Sequence, residues 1–151
     1  MAVPRGLRRL LEVRELEEEL KKAALEEALS DLRLLRAALE EARERERSGR
    51  RRVTASAASR DVADRIAGLE ETRAAGRYAA ALAPRIAGKE REVASWRQEY
   101  LAKRMERRQV ETLIRKAEAA AGVIAGRRGQ RQLDDWFLDR AGQGNGARER
   151  K

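Results

Sequence analysis

Val13-Arg-Glu-Leu-Glu-Glu-Glu-Leu20-Lys-Lys-Ala-Ala24-Leu-Glu-Glu-Ala28-Leu-Ser-Asp-Leu32-Arg-Leu-Leu35-Arg-Ala-Ala-Leu39-Glu-Glu-Ala42 is the stretch on which the fold turns. Val13, Leu16, Leu20, Ala24, Ala28, Leu32, Leu35, Leu39 and Ala42 recur at gaps of three or four residues. Their mean gap of about 3.6 residues is the period of a straight α-helix rather than of a strict heptad. Such a helix carries one apolar stripe and needs one neighbour to cover it. Alanine at several of these positions lets that neighbour come close.

The neighbour lies further along the same chain. A second long helical run is expected from about residue 61 to residue 126, after a first run from about 7 to 47. Ser48-Gly-Arg-Arg-Arg-Val-Thr-Ala-Ser-Ala-Ala-Ser59 separates them, and its glycine and hydroxyl residues favour leaving a helix. Ser56 or Ser59 is expected to cap the second helix, with Asp61 in its first turn complementing the dipole. Pro84 sits inside Ala79-Ala-Ala-Leu-Ala-Pro-Arg-Ile. It lacks an N–H and crowds the preceding turn, so the helix is expected to kink or restart there. Gly122, Gly126 and Gly129 weaken the helix end, and 130–141 reads as a short helical end. Residues 142–151 read as a disordered polar tail. The expected fold is therefore all-α: a long antiparallel two-helix coiled-coil hairpin over residues 1–141, its second helix kinked near Pro84.

Composition agrees with this architecture. The 151 residues include 40% charged and only 3% aromatic side chains, which suits long helices better than an ordinary globular core. Cysteine is absent, so disulfides and thiolate metal sites are excluded. Histidine is absent too, which removes the commonest metal ligand. No apolar stretch approaches the ~20 residues of a membrane span, and no secretory signal follows Met1. A cytoplasmic protein without catalytic centre, metal or cofactor is expected.

The net charge of +9 is uneven. Residues 1–47 hold 11 basic and 12 acidic groups, and everything after them is net basic. Antiparallel pairing would set Glu17-Glu18-Glu19 and Glu26-Glu27 against a basic helix. Glu90, Glu92, Glu99, Glu106, Glu111 and Glu118 are interspersed among the basic residues of the second helix. A dedicated phosphate-binding face would be free of them, so nucleic acid is not the expected partner. Arg50-Arg51-Arg52 reads as a solvated loop before it reads as a phosphate patch.

Two motifs near the C-terminus invite chemistry. Gly126-Arg-Arg-Gly129 lacks the preceding strand and the Lys-Ser/Thr ending that a phosphate loop needs. Asp134 and Asp135, with Asp139 nearby, offer carboxylates that point in different directions around a helix. Trp136 and Phe137 are two of only five aromatic residues in the chain. Either they fold back on Leu7, Leu10 and Leu11 to close the open end of the hairpin, or they anchor another protein.

The same end carries a family resemblance. Glu111-Thr-Leu113, the basic pair Arg127-Arg128, and Gln130-x-x-Leu133-Asp-Asp-Trp-Phe-x-x-Arg140 resemble the closing pattern of the flagellar type III export stalk family, FliJ, and its virulence-secretion relatives. The resemblance implies a non-enzymatic stalk or chaperone component of the export apparatus, peripheral to the inner membrane. Its implied partners are the hexameric export ATPase, whose ring assembly it promotes, the membrane export gate protein, and export chaperones. Arg127, Arg128, Gln130, Leu133, Asp134, Trp136 and Phe137 are then the expected ATPase contacts, and Leu39 and Leu69 the expected gate contacts. A virulence secretion stalk and a basic nucleic-acid-binding coiled coil are the alternative readings.

Overall fold

A computed structural model describes residues 3–146, and side chains as far as residue 144. The chain is an all-α helical hairpin of two long helices packed against each other. Helix α1 spans Arg5–Ser59 and helix α2 spans Val62–Gly146. The described residues contain no strand.

The connection is shorter than the sequence suggests. Residues 48–59, expected as a break, are the last three turns of α1. Each feature that reads locally as a breaker has a use inside the helix. Thr54 Oγ1 donates to the Arg50 carbonyl and Ser56 Oγ to the Val53 carbonyl, so the hydroxyls bond back into their own helix. Arg50 and Arg51 bond Glu46 and Glu44 one and two turns earlier. Arg52 reaches across to Asp64 at 2.5 Å. The triple arginine is thus consumed by ion pairs.

The chain reverses over Arg60 and Asp61 alone. Arg60 has φ 58°, the left-handed conformation that ends a helix. Asp61 then caps α2: its carboxylate accepts from the Asp64 amide at 3.1 Å and its carbonyl from the Arg65 amide. The cap is therefore Asp61, and Ser56 and Ser59 belong to the preceding helix. At Pro84 α2 neither stops nor restarts. Residues 142–146, expected to be disordered, are its last turn, whereas 147–151 lie outside the described residues.

Packing divides the chain into two compact units, residues 17–103 and residues 1–16 with 104–151. In the first, Ala28, Leu32, Leu82, Ile86 and Val93 form the core, with Leu25, Leu29, Leu35, Leu39 and Trp96 packed against it. Its register is written in ion pairs: Glu17–Lys103, Lys21–Glu99 and Asp31–Lys89. Each pair of residue numbers sums to 120, so the midpoint falls at residue 60, where the turn is. Lys89 also bonds Glu92, and that bond, more than the one to Asp31, raises its pKa and lowers that of Glu92. In the second unit Val3 and Val110 are buried and Arg14 bonds Glu106 at 2.8 Å. At that register α1, which begins at Arg5, runs out near residue 115 of α2.

Expected complementarity between the helices is present, but its sense is mixed. Glu17 of α1 faces Lys103, as the charge split suggests. Elsewhere cations of α1 bind acids of α2: Lys21 holds Glu99 and Arg36 holds Glu90.

Candidate functional site

Beyond the end of its partner, α2 continues alone. From Gly122 to Gly144 every residue except Gly129 is exposed. Trp136 and Phe137 are 50% and 61% exposed and do not fold back on Leu7, Leu10 or Leu11. The fold-back would require a break after residue 126, and α2 has none. Local pairs support the helix despite its glycines. Gln130 donates to Asp134 at 3.1 Å, and the Arg140 guanidinium lies 4.9 Å from the centre of the Trp136 ring, both four residues apart.

The geometry sorts the expected contact residues. Leu133, Trp136, Phe137 and Arg140 follow the three-, four- and seven-residue spacing of one helix face. The Trp136 and Phe137 rings meet edge to face, with centroids 5.0 Å apart. Gln130 and Asp134 form a polar row beside them. Arg127 adjoins that row, whereas Arg128 lies roughly 140° round the helix from Leu133. The seven residues are therefore brought to one segment but not to one face.

Sequence reasoning missed the other half of this surface. Val123, Ile124 and Leu138 are also exposed, Leu138 at 70%. At 100° per residue, the six apolar side chains from Val123 to Leu138 spread over roughly 240° of the helix and leave a polar sector that holds Arg128, Gln132, Asp135 and Asp139. So broad an exposed apolar sector is wider than the single stripe of an ordinary surface helix. Asp134, Asp135 and Asp139 do not gather, and no cluster able to hold a metal occurs among the described residues.

The two expected contacts near the turn part company. Leu39 is half-buried, packed against the core. Its stripe position, which made it visible in the sequence, also turns it inward. Leu69 stays exposed, and Val62 and Ile66 join it at spacings of four and three on α2. Their i, i+4, i+7 pattern could have been found in the sequence.

Together these features define a class: a helical-hairpin scaffold with an unpartnered apolar end. The chain matches the family model described as "Flagellar FliJ protein" over residues 4–146, and it belongs to that family. It is accordingly a component of the flagellar export apparatus, in a family that is non-enzymatic. No curated protein and no solved structure matches it. Among the described residues no helix is long and apolar enough to cross a membrane.

Proposed function

We propose that this protein is a cytoplasmic stalk that promotes assembly of the export ATPase ring and links the ring to the membrane export gate. The observation that supports the reading is the unpartnered end of α2, whose exposed apolar residues from Val123 to Leu138 spread over roughly 240° of the helix. A flat partner would cover only part of so broad an apolar sector and leave the rest in water. A ring would cover all sides at once, and the hexameric ATPase is the ring this family implies. Arg127, Arg128 and Gln130 then give polar contacts at the mouth of the channel, and Leu133, Trp136 and Phe137 the apolar ones. The stripe Val62, Ile66 and Leu69, beside the turn, is the surface proposed for the gate. Export chaperones are further partners of the same reading, and the chain itself performs no catalysis.

The test is reconstitution with the cognate export ATPase, following co-purification and ring formation by electron microscopy. Wild-type chain should increase the fraction of closed rings, and Trp136→Ala with Phe137→Ala should lose that effect. Unchanged ring formation by the double variant would remove the assignment.

A further inference from the structure

In the unit formed by residues 1–16 and 104–151, α2 has a second exposed surface, upstream of its unpartnered end. Between Arg104 and Val123 the acidic residues are Glu106, Glu111 and Glu118. Glu106 bonds Arg14 of α1 and Glu111 bonds Arg107. Glu118 projects roughly 140° away from Met105 around the helix. The acids interspersed in the sequence thus lie at the edges of the outer face and leave its middle to cations. What remains there is Arg104, Arg108, Arg115 and Lys116.

The face is not purely basic. Met105, 63% exposed, and Val123 stand eighteen residues apart, five whole turns, and so share one line along the helix with Thr112 between them. Arg104, Arg108 and Arg115 flank this line on one side. Long basic side chains beside exposed apolar residues, with Glu111 and Glu118 only at the far edge of the arginine row, are the pattern of a helix that lies in a headgroup layer, its cations reaching out to phosphates. A polynucleotide would pair with the cations but leave Met105 and Val123 in water. Leu113, also exposed, borders the same hollow as Met105, but a protein groove is less well matched, because no aromatic anchor occurs between residues 104 and 123.

We infer that the outer face of α2 from Arg104 to Val123 docks on an anionic phospholipid surface, with the arginines and Lys116 on headgroup phosphates and Met105 at the acyl boundary. This surface meets the helix end assigned to the ATPase only at Val123.

The test is co-sedimentation of the full chain with vesicles of phosphatidylcholine, alone or mixed with phosphatidylglycerol, in low and in high salt. Binding should require phosphatidylglycerol and weaken with salt. Arg108→Gln, Arg115→Gln and Lys116→Gln together should lower the partition coefficient on the order of a hundredfold, since each cation near such a surface counts for about a factor of five to ten. Met105→Ser should lower it further at unchanged charge. Arg65→Gln, Arg73→Gln and Arg77→Gln, which remove the same charge elsewhere on α2, should leave it near wild type. Equal loss in both triple variants, or equal binding to both vesicle types, would overturn the inference. So would duplex DNA binding as tight as vesicle binding together with an inert Met105→Ser, an outcome that would make the face a polynucleotide site.

Discussion

Gly49 of α1 and Gly68 of α2 lie against each other's backbone: a Cβ on Gly49 would fall 2.8 Å from the Gly68 carbonyl oxygen, and one on Gly68 would fall 2.9 Å from that of Gly49. Atoms in these places are backbone and cannot swing aside. Gly49→Ala should therefore spread the helices beside the turn and lower stability by about 1–3 kcal/mol, the usual cost of overpacking. Gly76→Ala meets nothing within 4 Å and should raise stability by up to about 1 kcal/mol through helix propensity alone. Thermal unfolding of the two variants should shift in opposite directions, and a gain for Gly49→Ala would show that the glycine contact is not needed.

Pro84 lies on an exposed position inside α2, where it has no amide to give the Ala80 carbonyl. Pro84→Ala restores that donor and relieves the clash with the preceding turn. Stability should rise by as much as about 3 kcal/mol. Urea unfolding with an unchanged m-value would identify the gain as one of stability rather than of altered surface.

The exposed end of α2 predicts a separation of folding from binding. Trp136→Ala with Phe137→Ala removes side chains that touch little besides each other and Arg140. The unfolding midpoint should move by no more than about 0.5 kcal/mol equivalent, as for other surface changes. Affinity for the export ATPase should fall by at least about 2 kcal/mol if the pair forms the centre of the contact. Calorimetric unfolding and a direct binding titration on the same preparation measure both.

Acid should loosen the last turns of α1. Hydrogen bonds from Arg51 and then Arg47 hold the Glu44 carboxyl below its ordinary value of 4.5. A depressed folded-state pKa contributes stability above the ordinary value and loses it as pH falls through the depressed one. The unfolding temperature should therefore begin to drop as pH falls below 4.5, and Glu44→Gln should flatten part of that drop. Glu44, Arg47 and Arg51 lie at the surface, so added salt should weaken the effect. An identical pH profile in Glu44→Gln would exclude the carboxyl as a contributor.

The 3.6-residue stripe from Val13 to Ala42 carried the hairpin, because burial of an amphipathic face depends on local spacing that any reader of the chain can see. The turn was misplaced for a physical reason. Gly49 signals a break when read alone, but its missing side chain admits Gly68, nineteen residues further along. Ser56 signals a cap, yet it is 2% exposed and bonded to Val53. Such tertiary uses of a small residue leave no local mark. The register is equally hidden, since the pair Lys21–Glu99 is one among many opposite charges until the chain is folded. At the site, the resemblance in the closing motif picked out Leu133, Trp136 and Phe137. Val123, Ile124 and Leu138 went unread, because seeing them as one surface requires knowing that α1 has already ended.

The start of α1 opposite residue 115 of α2 has a further consequence for how the molecule reports its own state. Amides in residues 122–144 are shielded only by the helix's own cooperativity, so they should exchange with solvent far faster than those around Leu82, which is 1% exposed. A ring closed round the segment would slow that exchange without altering the helix. The segment is thus a gauge of engagement written into the chain, legible by mass in an intact apparatus and open to proteases in any copy left unassembled.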